Sequence, residues 1–139
     1  MAREIFVDTG AWLAVSDARD SYHAVAVERY RRLLREALPL VTTNLVTAEA
    51  YIAIRRTGGH PPAIRFLQFL RQSSRLTKVY SDATLEVAAE GLLAQYVDQD
   101  FSFADAVSFV VMRRRGIEEA FAFDHHFRTA GFTLLPTSY

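Results

Sequence analysis

Short apolar runs alternate with segments of helical period along this chain, and that alternation restricts the fold more than any other feature. Residues 4–7, 40–42, 76–80 and 119–123 read as brief strands, with 132–135 as a fifth candidate. Helices are expected between them: 9–16, 22–38, 44–56 with Asn44 as N-cap, 82–97 behind Asp82, and 102–115 opened by Ser102 and stopped by Gly116. Another helix, carrying Phe66, Leu67, Phe69 and Leu70 inward, follows a loop at His60-Pro61-Pro62, and one turn over 125–130 ends at Gly131. Strands this short, largely apolar and separated by helices, argue for an α/β domain with a parallel sheet of four or five strands. No repeat, low-complexity tract or linker divides the sequence, so 1–139 reads as one domain.

Against that frame four acids are out of place. Asp8 ends the run Ile5-Phe6-Val7 and Asp124 ends Phe121-Ala122-Phe123; both stand at carboxyl ends of strands, where open α/β sheets bind their ligands. Glu49 and Asp105 lie in the early turns of the helices that begin at Asn44 and Ser102. Helix capping is the plain alternative for Asp8 and Asp124, and Ser102-Phe103-Ala104-Asp105 fits a capping box. Glu49 falls past the capping positions, with Leu45, Ile52 and Ala53 as its helix-face neighbours, so an ion pair with an arginine is its structural alternative. Together the four carboxylates would need a cation, since like charges raise one another's pKa, and an all-oxygen set favours Mg²⁺ or Mn²⁺ over zinc. The four histidines, His23, His60, His125 and His126, read as structural or surface residues.

Composition removes several other chemistries. The chain has no cysteine, which excludes disulfides, thiolate zinc sites and cysteine nucleophiles. Lys and Arg total 16 against 16 for Asp and Glu, so net charge alone does not argue for nucleic acid. All the cations except Lys78 are arginines; Arg55-Arg56 and Arg113-Arg114-Arg115 sit at helix C-termini, where the macrodipole favours them. Nothing resembles a signal peptide or a membrane span, and a soluble cytoplasmic protein is the expectation.

Carboxylate-held Mg²⁺ supports phosphodiester cleavage by lowering the pKa of a bound water and stabilising charge on phosphate oxygens. Asp8 and Asp105 would hold the ion, Glu49 or Asp124 would orient water or hold a second ion, and the hydroxyls of Thr9 and Ser102 are near enough to donate to them.

Taken together, Ile5-Phe6-Val7-Asp8-Thr9-Gly10-Ala11-Trp12-Leu13, Glu49, Phe101-Ser102-Phe103-Ala104-Asp105-Ala106 and Phe121-Ala122-Phe123-Asp124-His125-His126-Phe127 resemble the PIN domain. The resemblance runs over effectively the whole chain, and its size is similar to that of the VapC group of toxin–antitoxin ribonucleases. It implies a three-layer α/β/α architecture, Mg²⁺ or Mn²⁺ at an acidic pocket formed by Asp8, Glu49, Asp105 and Asp124, RNA as substrate, a homodimer and a protein antitoxin. Gly10 departs from the Ser or Ala common there, which leaves the local hydroxyl network open. The alternatives are an RNA-processing nuclease outside a toxin system and a catalytically silent PIN-fold interaction domain. Asp8-Thr9-Gly10 also matches the aspartic-protease triplet, which would need an all-β chain, and a phosphoacceptor receiver would need a lysine near the last strand.

Overall fold

The computed structural model describes residues 3–137. Five parallel strands form one sheet: β1 (Ile5–Val7), β2 (Leu40–Thr43), β3 (Leu76–Val79), β4 (Glu119–Phe121) and β5 (Thr133–Leu135), in the order β3-β2-β1-β4-β5. Seven helices connect them: α1 (Thr9–Ser16), α2 (His23–Arg35), α3 (Asn44–Gly58), α4 (His60–Gln72), α5 (Ala83–Gln95), α6 (Phe103–Arg115) and α7 (His126–Thr129). The strand order runs outward from β1 to β3, then restarts on the other side of β1 with β4 and β5. Right-handed crossovers in opposite directions place their helices on opposite faces. The contacts agree: α1 packs on α2 and α3, α3 on α4, α5 on α6, and α6 on α7. The parallel sheet removes the protease reading. Lys78 lies on the edge strand β3 over the Tyr80 ring, which removes the receiver reading.

The order in which strands are added reverses between β1 and β4, and a crevice opens there above the strand ends. Two buried clusters fix its walls. On one face Trp12 meets Phe66 edge-on at 5.8 Å, and its Nε1–H donates to Thr42 Oγ1 (3.4 Å), whose hydroxyl donates to the Val7 carbonyl (2.9 Å). This chain of bonds ties α1 to the end of β1. On the other face Phe127 stands edge-on to Phe109 at 4.9 Å and 6.0 Å from Phe6, which seats the short α7 against α6 and the sheet.

Several local expectations are corrected. The N-cap of α3 is Thr43, whose Oγ1 accepts from Val46 N–H (3.1 Å); Asn44 Oδ1 instead accepts from Ser81 N–H (2.8 Å), bridging to the loop after β3. His60-Pro61-Pro62 is the first turn of α4 rather than a loop, because prolines are tolerated where the amide would be unsatisfied anyway. Gly59, at φ 88°, makes the corner from α3 in a conformation other residues rarely adopt. Helix α2 stops at Arg35, since Leu38 N–H turns back to the Leu33 carbonyl (3.2 Å). Phe69 points outward, 45% exposed, while Phe66 and Leu70 are buried.

Candidate active site

The crevice contains all four sequence-predicted acids. It is a cleft of about 510 Å³ whose lining includes Asp8, Glu49, Asp105 and Asp124, together with Thr9 and Ser102. Asp8 comes from the end of β1 and Asp124 from just beyond β4, the two strands that flank the reversal. Glu49 and Asp105 come from α3 and α6, which touch each other across it. Topology therefore gathers residues as far apart in sequence as Asp8 and Asp124.

Each acid's alternative can be judged on its bonds. Asp8 occupies the N-cap position of α1 but its side chain makes no capping hydrogen bond, and it is only 6% exposed. Burial pushes its pKa up to about 8; the Thr9 amide offsets part of this, and the charges of Asp105, Asp124 and Glu49 add to it. Asp105, 8% exposed, does form the capping box: its amide donates to Ser102 Oγ (3.0 Å) and its Oδ2 accepts from Ser102 N–H (3.1 Å). The same Oδ2 also meets His126 Nδ1 at 3.0 Å, while Oδ1 has no donor among the described residues. Asp124 Oδ1 accepts from His126 N–H (2.9 Å), an Asx turn that starts α7.

Glu49 differs from expectation in its surroundings. The buried side of α3 is Val46, Thr47, Ala50 and Ile54, whereas Glu49 and Ile52 are exposed and face the cleft. Its Oε1 accepts from the Thr9 hydroxyl (3.2 Å). Partial burial raises its pKa, Thr9 opposes the shift, and Asp105 and Asp124 reinforce it. An ion pair with arginine is not its role: among the described residues no Arg or Lys pairs with any of the four acids. Like charges thus converge with no Arg or Lys paired to them among the described residues, which is the condition that a divalent ion relieves.

Three cleft residues escaped the sequence reading. His126, taken as structural or surface, contributes its Nδ1 at 3.0 Å from Asp105 and 3.4 Å from Asp124, and these three side chains can bring ligand atoms within 4.8 Å of one another. The doublet His125-His126 was a visible signal; that only the second ring turns inward depends on the Asx turn. Asp100 and Arg56 also line the cleft. Asp100 is exposed in a polar stretch, so nothing in its neighbours marks it, and Arg56 was explained by its place at a helix C-terminus. The other histidines are structural as expected: His23 Nδ1 lies 2.7 Å from the Ala14 carbonyl and His60 Nδ1 2.7 Å from Arg55.

The basic clusters beyond the cleft serve the fold. Arg115 pairs with Glu4 (2.8 Å), and Arg113 donates to the Ala130 carbonyl (3.3 Å). Among the described residues no helix is long and apolar enough to cross a membrane.

The PIN domain profile matches residues 5–133. Over 129 residues the chain is 38% identical to a protein named 23S rRNA-specific endonuclease VapC20, from Mycobacterium tuberculosis strains CDC 1551 / Oshkosh and ATCC 25618 / H37Rv, with 92% of this chain and 95% of that one covered. The crystal structure of Mycobacterium tuberculosis VapC20, described as a sarcin–ricin loop cleaving toxin, matches at a TM-score of 0.82 and 36% identity, again over 92% of this chain and 95% of the other.

Proposed function

The chain belongs to the PIN domain family, and from that premise we propose that it is a Mg²⁺- or Mn²⁺-dependent endoribonuclease, the toxin of a VapBC-like toxin–antitoxin pair. The observation that carries this reading is the convergence of Asp8, Glu49, Asp105 and Asp124 in one cleft with no arginine or lysine paired to them. The donor set is oxygen-rich, as a hard divalent cation requires. No buried side-chain polar atom among the described residues lacks a partner, so the carboxylate oxygens without protein donors face the cleft.

In this reading Asp8 and Asp105 hold the ion, with Asp124 completing the donor set. A bound divalent cation supplies a water of lowered pKa and stabilises charge on the phosphate oxygens. Glu49 has one oxygen held by Thr9 and the other without a protein donor at the cleft, which places it to take the proton of the attacking water. Ser102 keeps Asp105 in place through both its amide and its hydroxyl. In-line attack leaves a 5′-phosphate and a 3′-hydroxyl. Since the relative is named for 23S rRNA and its sarcin–ricin loop, that loop is the first substrate to try. A cytoplasmic homodimer with a protein antitoxin completes the proposal; an apolar groove of about 290 Å³ lined by Trp12, Tyr30, Phe66 and Phe69 offers surface for such contacts.

Asp105→Asn is the direct test. The amide retains an acceptor for the capping box, so the fold is expected to survive, while cleavage of sarcin–ricin loop RNA in Mn²⁺ disappears. Undiminished cleavage by the purified variant would sink the mechanism.

A further inference from the structure

We propose that His126 is a positioning residue, one that fixes two of the acids through two different atoms and leaves their outer oxygens for the cation. The inference rests on the metal-dependent reading above and deepens it. His126 donates its backbone N–H to Asp124 Oδ1 at 2.9 Å, and its Nδ1 lies 3.0 Å from Asp105 Oδ2. Facing a carboxylate oxygen at that distance, Nδ1 carries the proton and donates. Asp105 Oδ2 then receives two donors, Ser102 N–H on one side and the imidazole on the other. Its partner Oδ1 receives none among the described residues, and neither does Asp124 Oδ2. Carboxylates with one oxygen saturated and the other bare are aimed rather than merely present.

The imidazole is itself held. Phe101 stands edge-on to it at 5.1 Å, and α7 is anchored through Phe127 against Phe109. Phe101 directly precedes Ser102, so the residue that opens α6 and the residue that buttresses the ring are neighbours. One short stretch after β4 and one just before α6 therefore lock each other around Asp105. The three side chains could instead form a ligand set in which the imidazole binds the ion directly. Nδ1, donating to Asp105, has no lone pair for a metal, so direct ligation would have to come from Nε2, and a directly bonded nitrogen coupling separates the two roles.

Shape separates the two roles in a substitution series. Asn places an amide N–H where Nδ1 stands, whereas Gln places it near Nε2 and Ala places nothing. We expect Mn²⁺ affinity, measured by EPR titration of free ion, to fall about 10–100-fold in His126→Ala and His126→Gln, the usual consequence of losing a bond behind a ligand, and to stay within about threefold in His126→Asn. Cleavage by His126→Ala and His126→Gln is expected to lose kcat while KM for RNA stays near wild type, and His126→Asn is expected to retain kcat. Pulsed EPR of the Mn²⁺-loaded wild type is expected to show no directly bonded nitrogen. Unchanged Mn²⁺ affinity in His126→Ala, an Asn variant no better than Ala, or a strong directly bonded ¹⁴N coupling would each overturn the positioning role. In those three cases metal binding by the wild type survives. A wild type that binds no Mn²⁺ would overturn the proposed function and this inference with it. Melting curves in chelator confirm that each variant is folded.

Discussion

Replacing Asp8 by Asn is expected to stabilise the metal-free protein while destroying its activity. Asp8 is buried beneath three other acids, and its pKa moves from 3.8 to about 8. Because the folded-state value is raised, the native state binds a proton that the unfolded chain has lost, so stability falls with pH between about 4 and about 8. At 1.36 kcal/mol per pH unit the limit is about 6 kcal/mol. The cleft mouth admits water, which raises the effective dielectric, so about 2–4 kcal/mol is the expected share at pH 8. Asn never ionises, is the same size, and can turn its N–H₂ toward the neighbouring carboxylates. In EDTA at pH 8 the variant is therefore expected to melt about 6–12 °C above wild type, at about 3 °C per kcal/mol for a chain of this length. At pH 4 both side chains are neutral and the gap closes. Thermal melts across pH 4–8.5 measure this directly; a variant no more stable than wild type at pH 8, or a gap that does not shrink toward pH 4, refutes the electrostatic account of the cluster.

Two further outcomes follow from the same geometry. Mn²⁺ must displace the proton from Asp8, whose pKa is raised to about 8, so its affinity is expected to rise by up to about tenfold per pH unit below that value and to level off above about pH 8; calorimetric titrations at pH 6, 7 and 8 that give one constant affinity contradict this. Thr43→Ala is expected to lower stability by about 1 kcal/mol through loss of the α3 cap, read by urea denaturation, and a neutral result would mean that the Val46 amide finds water instead.

The sheet and the seven helices of the described residues were legible because short, largely apolar segments alternate with longer ones bounded by caps and breakers such as Asp82, Ser102 and Gly116. What escaped is where local alternatives are nearly equal. Thr43 and Asn44 are both good N-caps, and the choice is made by Ser81, a partner 37 residues away that takes the Asn44 side chain. Phe69 was expected inside because it sits beside Leu70, yet a helix at the surface turns only part of its circumference inward. Glu49 was singled out for the right cleft on the wrong ground: its stripe faces the pocket opening, not the core. His126 was missed because a histidine's role is set by what its ring meets, and here that is an aspartate 21 residues earlier in sequence.

Capping and metal binding were weighed as rivals for Asp105, yet the capping bonds leave one of its carboxylate oxygens without a donor among the described residues. A carboxylate has two oxygens; Asp105 uses one for the capping box and for His126 and leaves the other toward the cleft. The cap is what gives the free oxygen a direction, since a carboxylate swinging on an uncapped first turn would lose rotamer freedom on binding a cation. Asp8 is the opposite case. It stands at a cap position without capping, so its burial is only partly compensated, by the Thr9 amide, in the metal-free protein. The two acids proposed to hold the ion thus divide the work, one held ready by hydrogen bonds and one held at a stability cost that cation binding relieves. That division is why Asp8→Asn and Asp105→Asn, alike in abolishing cleavage, are expected to differ in stability: a large gain for the first, and little change for the second, whose capping acceptor survives the substitution.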